Sequence, residues 1–241
     1  MPHDSFTLVA DHADFVVVAK APGVSFHSEQ GAGVVVLAEQ ALGYSLFPVH
    51  RLDKVTSGLL ILAKSSAAAA EFTAMFSRHA VQKYYVALSL DKPKQKQGWV
   101  KGDMVPARRG AYKLVASMQN PAVSYFISAG FSQSSQLPAG CRAFLIKPFT
   151  GKTHQIRVAL KSMGSAIAGD ALYQGQPADR VYLHAYALTF SWQGLELQFV
   201  LPPEQGEWFS EPVFRELLQT AWAQPWHIAF PSYQPMMRIP L

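Results

Sequence analysis

The residues densest in chemistry lie in His50-Arg51-Leu52-Asp53-Lys54-Val55-Thr56-Ser57. A carboxylate, an imidazole, two cations and two hydroxyls are gathered there, between Phe47-Pro48-Val49 and the aliphatic run Leu59–Ala63. Pro48 argues against a helix and pushes Phe47 towards extended backbone. Gly58-Leu59-Leu60-Ile61-Leu62-Ala63 is short, aliphatic and bounded by Gly and Lys64, which predicts a buried strand. Asp53 therefore belongs to a loop set against the start of a core strand. Such a carboxylate is either a turn residue bonding to nearby backbone or a reactive group on a rigid support.

Several familiar chemistries fail on spacing. Gly151-Lys152-Thr153 ends like a phosphate-binding loop, but the Gly needed five residues earlier is Ile146. His50-Arg51-Leu52-Asp53 is close to a kinase catalytic loop, yet Leu52 separates His-Arg from Asp, and there is neither a Gly-rich nucleotide loop nor Asp-Phe-Gly. No Gly-x-Ser-x-Gly is present. The eight histidines lack metal-ligand spacing, and a single cysteine cannot build a zinc knuckle.

The segment His50–Gly58 instead resembles the signature of the RluA family of RNA pseudouridine synthases, His-Arg-Leu-Asp-x-x-Thr-Ser-Gly, at all seven fixed positions. Lys83-Tyr84-Tyr85-Val86-Ala87-Leu88 is similar to the family's Lys-x-Tyr-x-Ala-Leu. Gly151-Lys152-Thr153-His154-Gln155-Ile156-Arg157-Val158 is similar to Gly-Arg-Thr-His-Gln-Ile-Arg-Val-His. Gly169-Asp170 with Tyr173, and Leu183-His184-Ala185, resemble two further elements. Order and spacing hold from about residue 6 to about residue 203. Three positions depart from the pattern: Lys152 replaces Arg, Ala159 replaces the final His, and Lys20 precedes Pro22-Gly23 with one residue between.

The resemblance implies an isomerase that breaks the uridine glycosidic bond, turns the ring and rejoins it through carbon, without metal or cofactor. Asp53 would be the nucleophile, or the base if the route runs through a glycal. Arg157 would pair with Asp53 and keep its pKa low and its geometry fixed. Tyr85 would stack on the flipped base and help to remove the ring proton, and Leu183 would line the pocket floor. His50, Arg51, Thr56, Lys83, Lys152, His154 and Gln155 are the other candidates for contact with RNA; His154, like His184, also reads as an ordinary structural histidine. The target uridine must leave its stack to reach such a site. Lys152 keeps the charge of the family's Arg but loses bidentate phosphate recognition. A non-catalytic RNA-binding or RNA-folding protein on the same scaffold is the alternative.

The elements that must hold these residues are legible in part. Phe6–Ala10 and Phe15–Ala19 read as strands, and Gly33–Leu42 as a short helix. Ser65 or Ser66 can cap a helix running to about Arg78, with Ala68, Phe72, Met75 and Phe76 on its apolar face. Gln82–Leu90 is a strand carrying Tyr85. Asp91–Gly98 reads as a solvated loop with three lysines, followed by Lys101, Arg108, Arg109 and Lys113 in a Gly- and Pro-punctuated stretch, either plain surface or a phosphate-contacting patch. Val123–Ala129 and Arg142–Ile146 are neighbouring strands around the loop Ser132–Gly140. Thr150 or Thr153 can cap a helix that Gly164 ends, with Ile156, Leu160 and Met163 on one face and His154, Arg157 and Lys161 on a basic one. Leu183–Trp192 and Leu195–Leu201 form a hairpin turning at Gln193-Gly194. Phe214–Trp222 is a short helix, and the tail after Gln224 should pack through Trp226 and Phe230.

These elements, with the resemblance, give an α+β fold: a long, mostly antiparallel mixed sheet flanked by helices, with a central active cleft. One catalytic domain is expected over 1–241, its core about 6–203 and a C-terminal extension about 204–241. Many relatives carry a small RNA-binding domain before this core; with about five residues ahead of the first strand, it is expected to be absent. At 241 residues, 49% hydrophobic and 15% charged, the chain should be globular. A formal charge of +5 favours a polyanionic partner, here ribosomal or transfer RNA. The single cysteine, Cys141, excludes an internal disulfide and fits a reducing compartment. The opening Met-Pro-His-Asp-Ser-Phe lacks a signal-peptide pattern, and no apolar run approaches the roughly 20 residues of a membrane span. A cytoplasmic monomer without membrane attachment is the expectation.

Overall fold

The computed structural model describes residues 5–26, 28, 31–131 and 136–233. The chain opens with β1 (Phe6–Asp11) and β2 (Phe15–Lys20), then α1 (Val34–Leu42), the two-residue β3 (Phe47–Pro48), β4 (Ser57–Ala63), α2 (Ser66–Ser77) and β5 (Gln82–Ser89). It continues through β6 (Gln97–Pro106), β7 (Tyr112–Val115), β8 (Ala122–Gly130), β9 (Arg142–Pro148), α3 (Gln155–Ser162), β10 (Leu183–Trp192), β11 (Leu195–Val200) and α4 (Pro212–Gln219). The strands form one mixed sheet in the order β1-β2-β4-β10-β5-β9-β8-β6-β7, with β11 on β10 and β3 on β4. Every pairing is antiparallel except β4 with β10, which touch in parallel at Ser57↔His184 and Gly58↔Ala185.

All seven residues of β4 are buried, so the aliphatic run becomes a central strand. On α2, Ser65 Oγ accepts from the Ala68 N–H, and Ala68, Phe72 and Met75 face inward while Phe76 is half-buried. Val34 and Ala38 are buried in α1, which explains how a β-branched run is held helical. The expected hairpin forms, turning at Gln193-Gly194. In the tail, Trp226, Ile228 and Phe230 pack against the largest apolar cluster.

Four local expectations are corrected. The lysine-rich loop holds only over residues 91–96: β6 begins at Gln97, so Lys101, expected in an irregular stretch, lies on a strand that with β7 builds the sheet edge. Polar residues suit a strand whose outer face meets solvent, and Asp103 on β6 ties down the turn that follows β7, accepting from Ser117 Oγ and the Gln119 and Asn120 N–H groups. Neither Thr150 nor Thr153 caps α3; His154 occupies the cap in left-handed backbone, φ 57°, with no side-chain cap bond, whereas Gly164 ends the helix as expected. The supposedly basic face of α3 is buried around Arg157, 4% exposed. The last helix runs Pro212–Gln219, its start fixed by the proline. Of the Ser132–Gly140 loop, residues 132–135 lie outside those described, as do residues 234–241 of the tail.

Candidate active site

The Asp53 loop is pinned on both sides. His50 Nε2 accepts from the Ile61 N–H at 2.9 Å, Leu52 is buried among apolar side chains, and the Thr56 N–H donates to Asp53 O at 3.0 Å. Beneath the loop, the fully buried Lys20 ammonium donates to Ala21 O, Val24 O and Lys54 O. Burial, then the Arg180 charge, lowers the Lys20 pKa to about 7, against the pull of Asp53. Three carbonyls match the three N–H groups of its charged form, so Lys20 ties the turn after β2 to the Asp53 loop at Lys54.

Gly58 follows the loop with φ +108°, and a Cβ there would lie 2.3 Å from Ala185 O. Only glycine lets β4 approach β10 so closely. Ala185 in turn faces Tyr85 on β5, so Gly58, Ala185 and Tyr85 form one row across the floor on which Asp53 stands.

Opposite the loop, α3 delivers Arg157. Its Nη1 is 3.5 Å from Asp53 Oδ2, a long contact. Its tighter partner is Asp170, 1% exposed, which accepts from Nε at 2.7 Å and from Nη2 at 2.9 Å. The guanidinium also lies 4.9 Å from the Tyr173 ring centre. Burial opposes its charge, but the Asp170 hydrogen bonds and charge outweigh it, with Asp53 adding, and the pKa rises. The resemblance implies a pairing of Arg157 with Asp53 alone; the structure makes Asp170 the clamp and leaves the Asp53 carboxylate, 16% exposed, loosely held beside a cation. Gly169-Asp170 stood out in the sequence without a role.

One cavity of about 950 Å³ gathers every candidate: His50, Arg51, Asp53, Thr56, Lys83, Tyr85, Lys152, His154, Gln155, Arg157 and Leu183 all line it. They are not alike. Gln155 uses its whole amide inside the protein, donating to Val123 O and Ser124 Oγ and accepting from Thr150 Oγ1 and the Lys152 N–H, so it shapes the loop before α3. His50 is neutral, its pKa pulled down to about 3 by burial and then by Lys83. His154 bonds the Tyr173 hydroxyl at 2.9 Å. Tyr85 is raised well above the usual phenol range by burial and by Asp53, so its ring is an uncharged aromatic face with a donor. Lys83, lowered to about 8 by burial, and Arg51, exposed at the mouth, supply positive charge. Among the described residues, no group of three or more His, Cys, Asp or Glu could hold a metal ion.

His184 is structural. Its Nε2 bonds Leu201 O at 2.8 Å and its Nδ1 bonds Ser57 Oγ at 2.8 Å, while Arg180 Nη2 donates to the same hydroxyl. That chain fits the neutral Nε2–H tautomer, and burial lowers its pKa to about 3. The unfolded chain binds the proton more readily, so the stability from this group is complete above about pH 6.5 and declines as pH falls towards 3. Between pH 8 and pH 5 the loss should be about 2 kcal/mol from His184. Urea titrations of wild type and His184→Gln across that range check it: the variant should show the shallower pH dependence, and equal slopes would mean that His184 is charged in the native protein.

An open cleft with one carboxylate on its floor and cations around it suits a polyanionic substrate worked on by nucleophilic or base chemistry. The comparisons agree. A sequence model of the RNA pseudouridylate synthases matches residues 14–162. An "Uncharacterized RNA pseudouridine synthase" of Haemophilus influenzae is 43% identical over 222 residues, 90% of this chain and 96% of that protein. The dual-specificity RNA pseudouridine synthase RluA of Salmonella typhi is 30% identical over 149 residues, 59% of this chain and 66% of that protein. Human RNA pseudouridylate synthase domain containing 1 shares the fold, with a TM-score of 0.70 at 24% identity over 84% of this chain and 86% of that one. The chain belongs to the RNA pseudouridine synthases, the family of RluA, isomerases that turn uridine in RNA into pseudouridine. Among the described residues, no helix is long and apolar enough to cross a membrane.

Proposed function

We propose that Asp53 is the catalytic carboxylate, acting on a uridine flipped into the cleft of a structured ribosomal or transfer RNA. The observation that carries this reading is the Asp53–Arg157–Asp170 arrangement: a carboxylate reachable from the cleft, 3.5 Å from a guanidinium that a second, buried carboxylate already orients.

Asp53 either attacks the ribose carbon, displacing the uracil nitrogen, or removes a ribose proton so that uracil leaves a glycal. In the first route C5 of the turned ring displaces Asp53 from the sugar carbon; in the second C5 adds to that carbon of the glycal while the Asp53 carboxyl returns its proton to the neighbouring ribose carbon. In both routes the C5 proton then departs and the ring nitrogen ends with a proton, so the product is an isomer and Asp53 is again a carboxylate. Arg157 offsets negative charge on the departing uracil and holds the geometry of Asp53. The uncharged Tyr85 ring suits stacking on the flipped base, with Leu183 below it. Removal of the C5 proton by Tyr85 would need a phenolate, which its surroundings disfavour.

Arg51, Lys83 and Lys152 meet the phosphates around the target, and the exposed Arg108 and Arg109 between β6 and β7 extend the positive surface. The enzyme works as one 1–241 catalytic unit, a cytoplasmic monomer. The test is a pseudouridine map of total RNA from cells with and without the gene. Sites should vanish on deletion and return with the wild-type protein; a map unchanged across growth conditions would overturn the reading.

A further inference from the structure

Beyond the residues of the family match, the tail returns to the cleft. After α4 the chain makes a short turn at Pro225–His227 and runs back over the sheet, where the Phe230 ring meets Tyr84 and Tyr125 at 5.7 and 5.9 Å. It then places Ser232 and Tyr233 in the wall of the cavity that holds Asp53. The Tyr233 ring lies 6.0 Å from Trp99 and 5.9 Å from Phe149.

The surface it joins is ordered by strand register. Trp99, Tyr125 and Lys147 are consecutive partners across β6, β8 and β9 and so share a face, with Phe149 two residues beyond Lys147. Lys101 Nζ lies 4.1 Å from the Trp99 ring centre and 5.5 Å from that of Tyr233, and Lys147 Nζ lies 5.4 Å from Phe149. Among the described residues, the salt bridges of the protein involve neither lysine. Half-buried aromatic rings interleaved with cations that lack a carboxylate partner, continuous with a cleft for RNA, match the chemistry of single-strand recognition, in which rings take base faces and lysines take phosphates.

We propose that Tyr233, seated on Trp99 and Phe149, stacks with a nucleotide flanking the target uridine while Lys101 and Lys147 hold its phosphates. The tail is thereby a determinant of which RNA is bound. The proposal rests on reading the cleft as the uridine site.

The test uses the full chain and total RNA from a strain lacking the gene. Tyr233→Ala should raise KM for pseudouridine formation about tenfold and leave kcat within about twofold, as loss of one stacked base predicts. Tyr233→Phe should behave as wild type, and Lys101→Ala should shift KM in the same direction. Ultraviolet irradiation of the wild-type complex should leave a nucleotide adduct on Tyr233, a readout that a purely packing role would not give. Unchanged KM in Tyr233→Ala, or no adduct at Tyr233, overturns the proposal. If wild type forms no pseudouridine in this RNA, the reading of the cleft fails, and the adduct alone decides whether the tail binds RNA.

Discussion

Asp53→Asn is expected to lower kcat by roughly 10,000-fold or more, the scale seen when an enzyme loses its principal reacting group. Asparagine has the shape of aspartate but offers neither an anionic nucleophile nor a base. The fold should persist for a specific reason: Arg157 stays bonded through two nitrogens to Asp170, so removing Asp53 does not strand a buried cation. The loop itself is held by His50 and Leu52, neither of which depends on the Asp53 carboxylate, and by Lys20, whose charge Asp53 supports only as the smallest of three influences. The Asp53–Arg157 contact is long, so the stability read from the urea midpoint should fall by no more than about 1 kcal/mol, the scale of a weak ion pair. RNA affinity should stay within a few-fold. Turnover persisting in the variant would remove Asp53 from the chemistry and favour an RNA-binding role for the scaffold.

Asp170→Asn should do the opposite, damaging stability and turnover together. Asp170 is buried and accepts from two nitrogens of an equally buried guanidinium. Without that charge, the Arg157 cation remains in a poorly hydrated site, and breaking a pair of this kind costs about 3–5 kcal/mol. Arg157 would then turn towards Asp53, the other carboxylate in reach, and a tight pair would draw Asp53 away from the sugar. A fall in kcat of about 100-fold or more is expected, together with the lowered urea midpoint. Wild-type stability in Asp170→Asn would show that Asp53 alone can satisfy Arg157.

These two predictions rest on residues of very different legibility. Asp53 was visible because the stretch around it resembles the family signature at seven positions; the crowding of polar groups beside an all-aliphatic strand placed it in a loop but left it open between a turn residue and a reactive group. The hairpin of β10 and β11 was legible from a local pattern, since Gln-Gly between alternating strands specifies a tight turn. Asp170 stood out only as part of a Gly-Asp element similar to one of the family's, with no role attached. Its meaning comes from Arg157, 13 residues earlier, through a turn in which a Cβ on Gly169 would lie 1.8 Å from Arg180 O. Strands β6 and β7 escaped because edge strands tolerate lysine, glycine and proline, and so read as loop. Lys20 looked like turn chemistry, and two of its carbonyl acceptors, Ala21 O and Val24 O, do belong to its own turn; the third, Lys54 O, is brought to it only by the tertiary structure.

The parallel contact between β4 and β10 reaches further than geometry. It is two residue pairs long, joins positions 127 apart in the chain, and lies beside the floor of the cleft. The Asp53–Arg157 contact spans 104 positions. Closing loops of this length costs entropy before any contact rewards it, so such pairings are slow to form. During refolding, helices and hairpins are expected to precede the joining of the two halves of the sheet, and recovered activity should lag recovered secondary structure. The reaction centre is thus a reporter of completed topology: a chain that turns over RNA has joined segments more than a hundred positions apart.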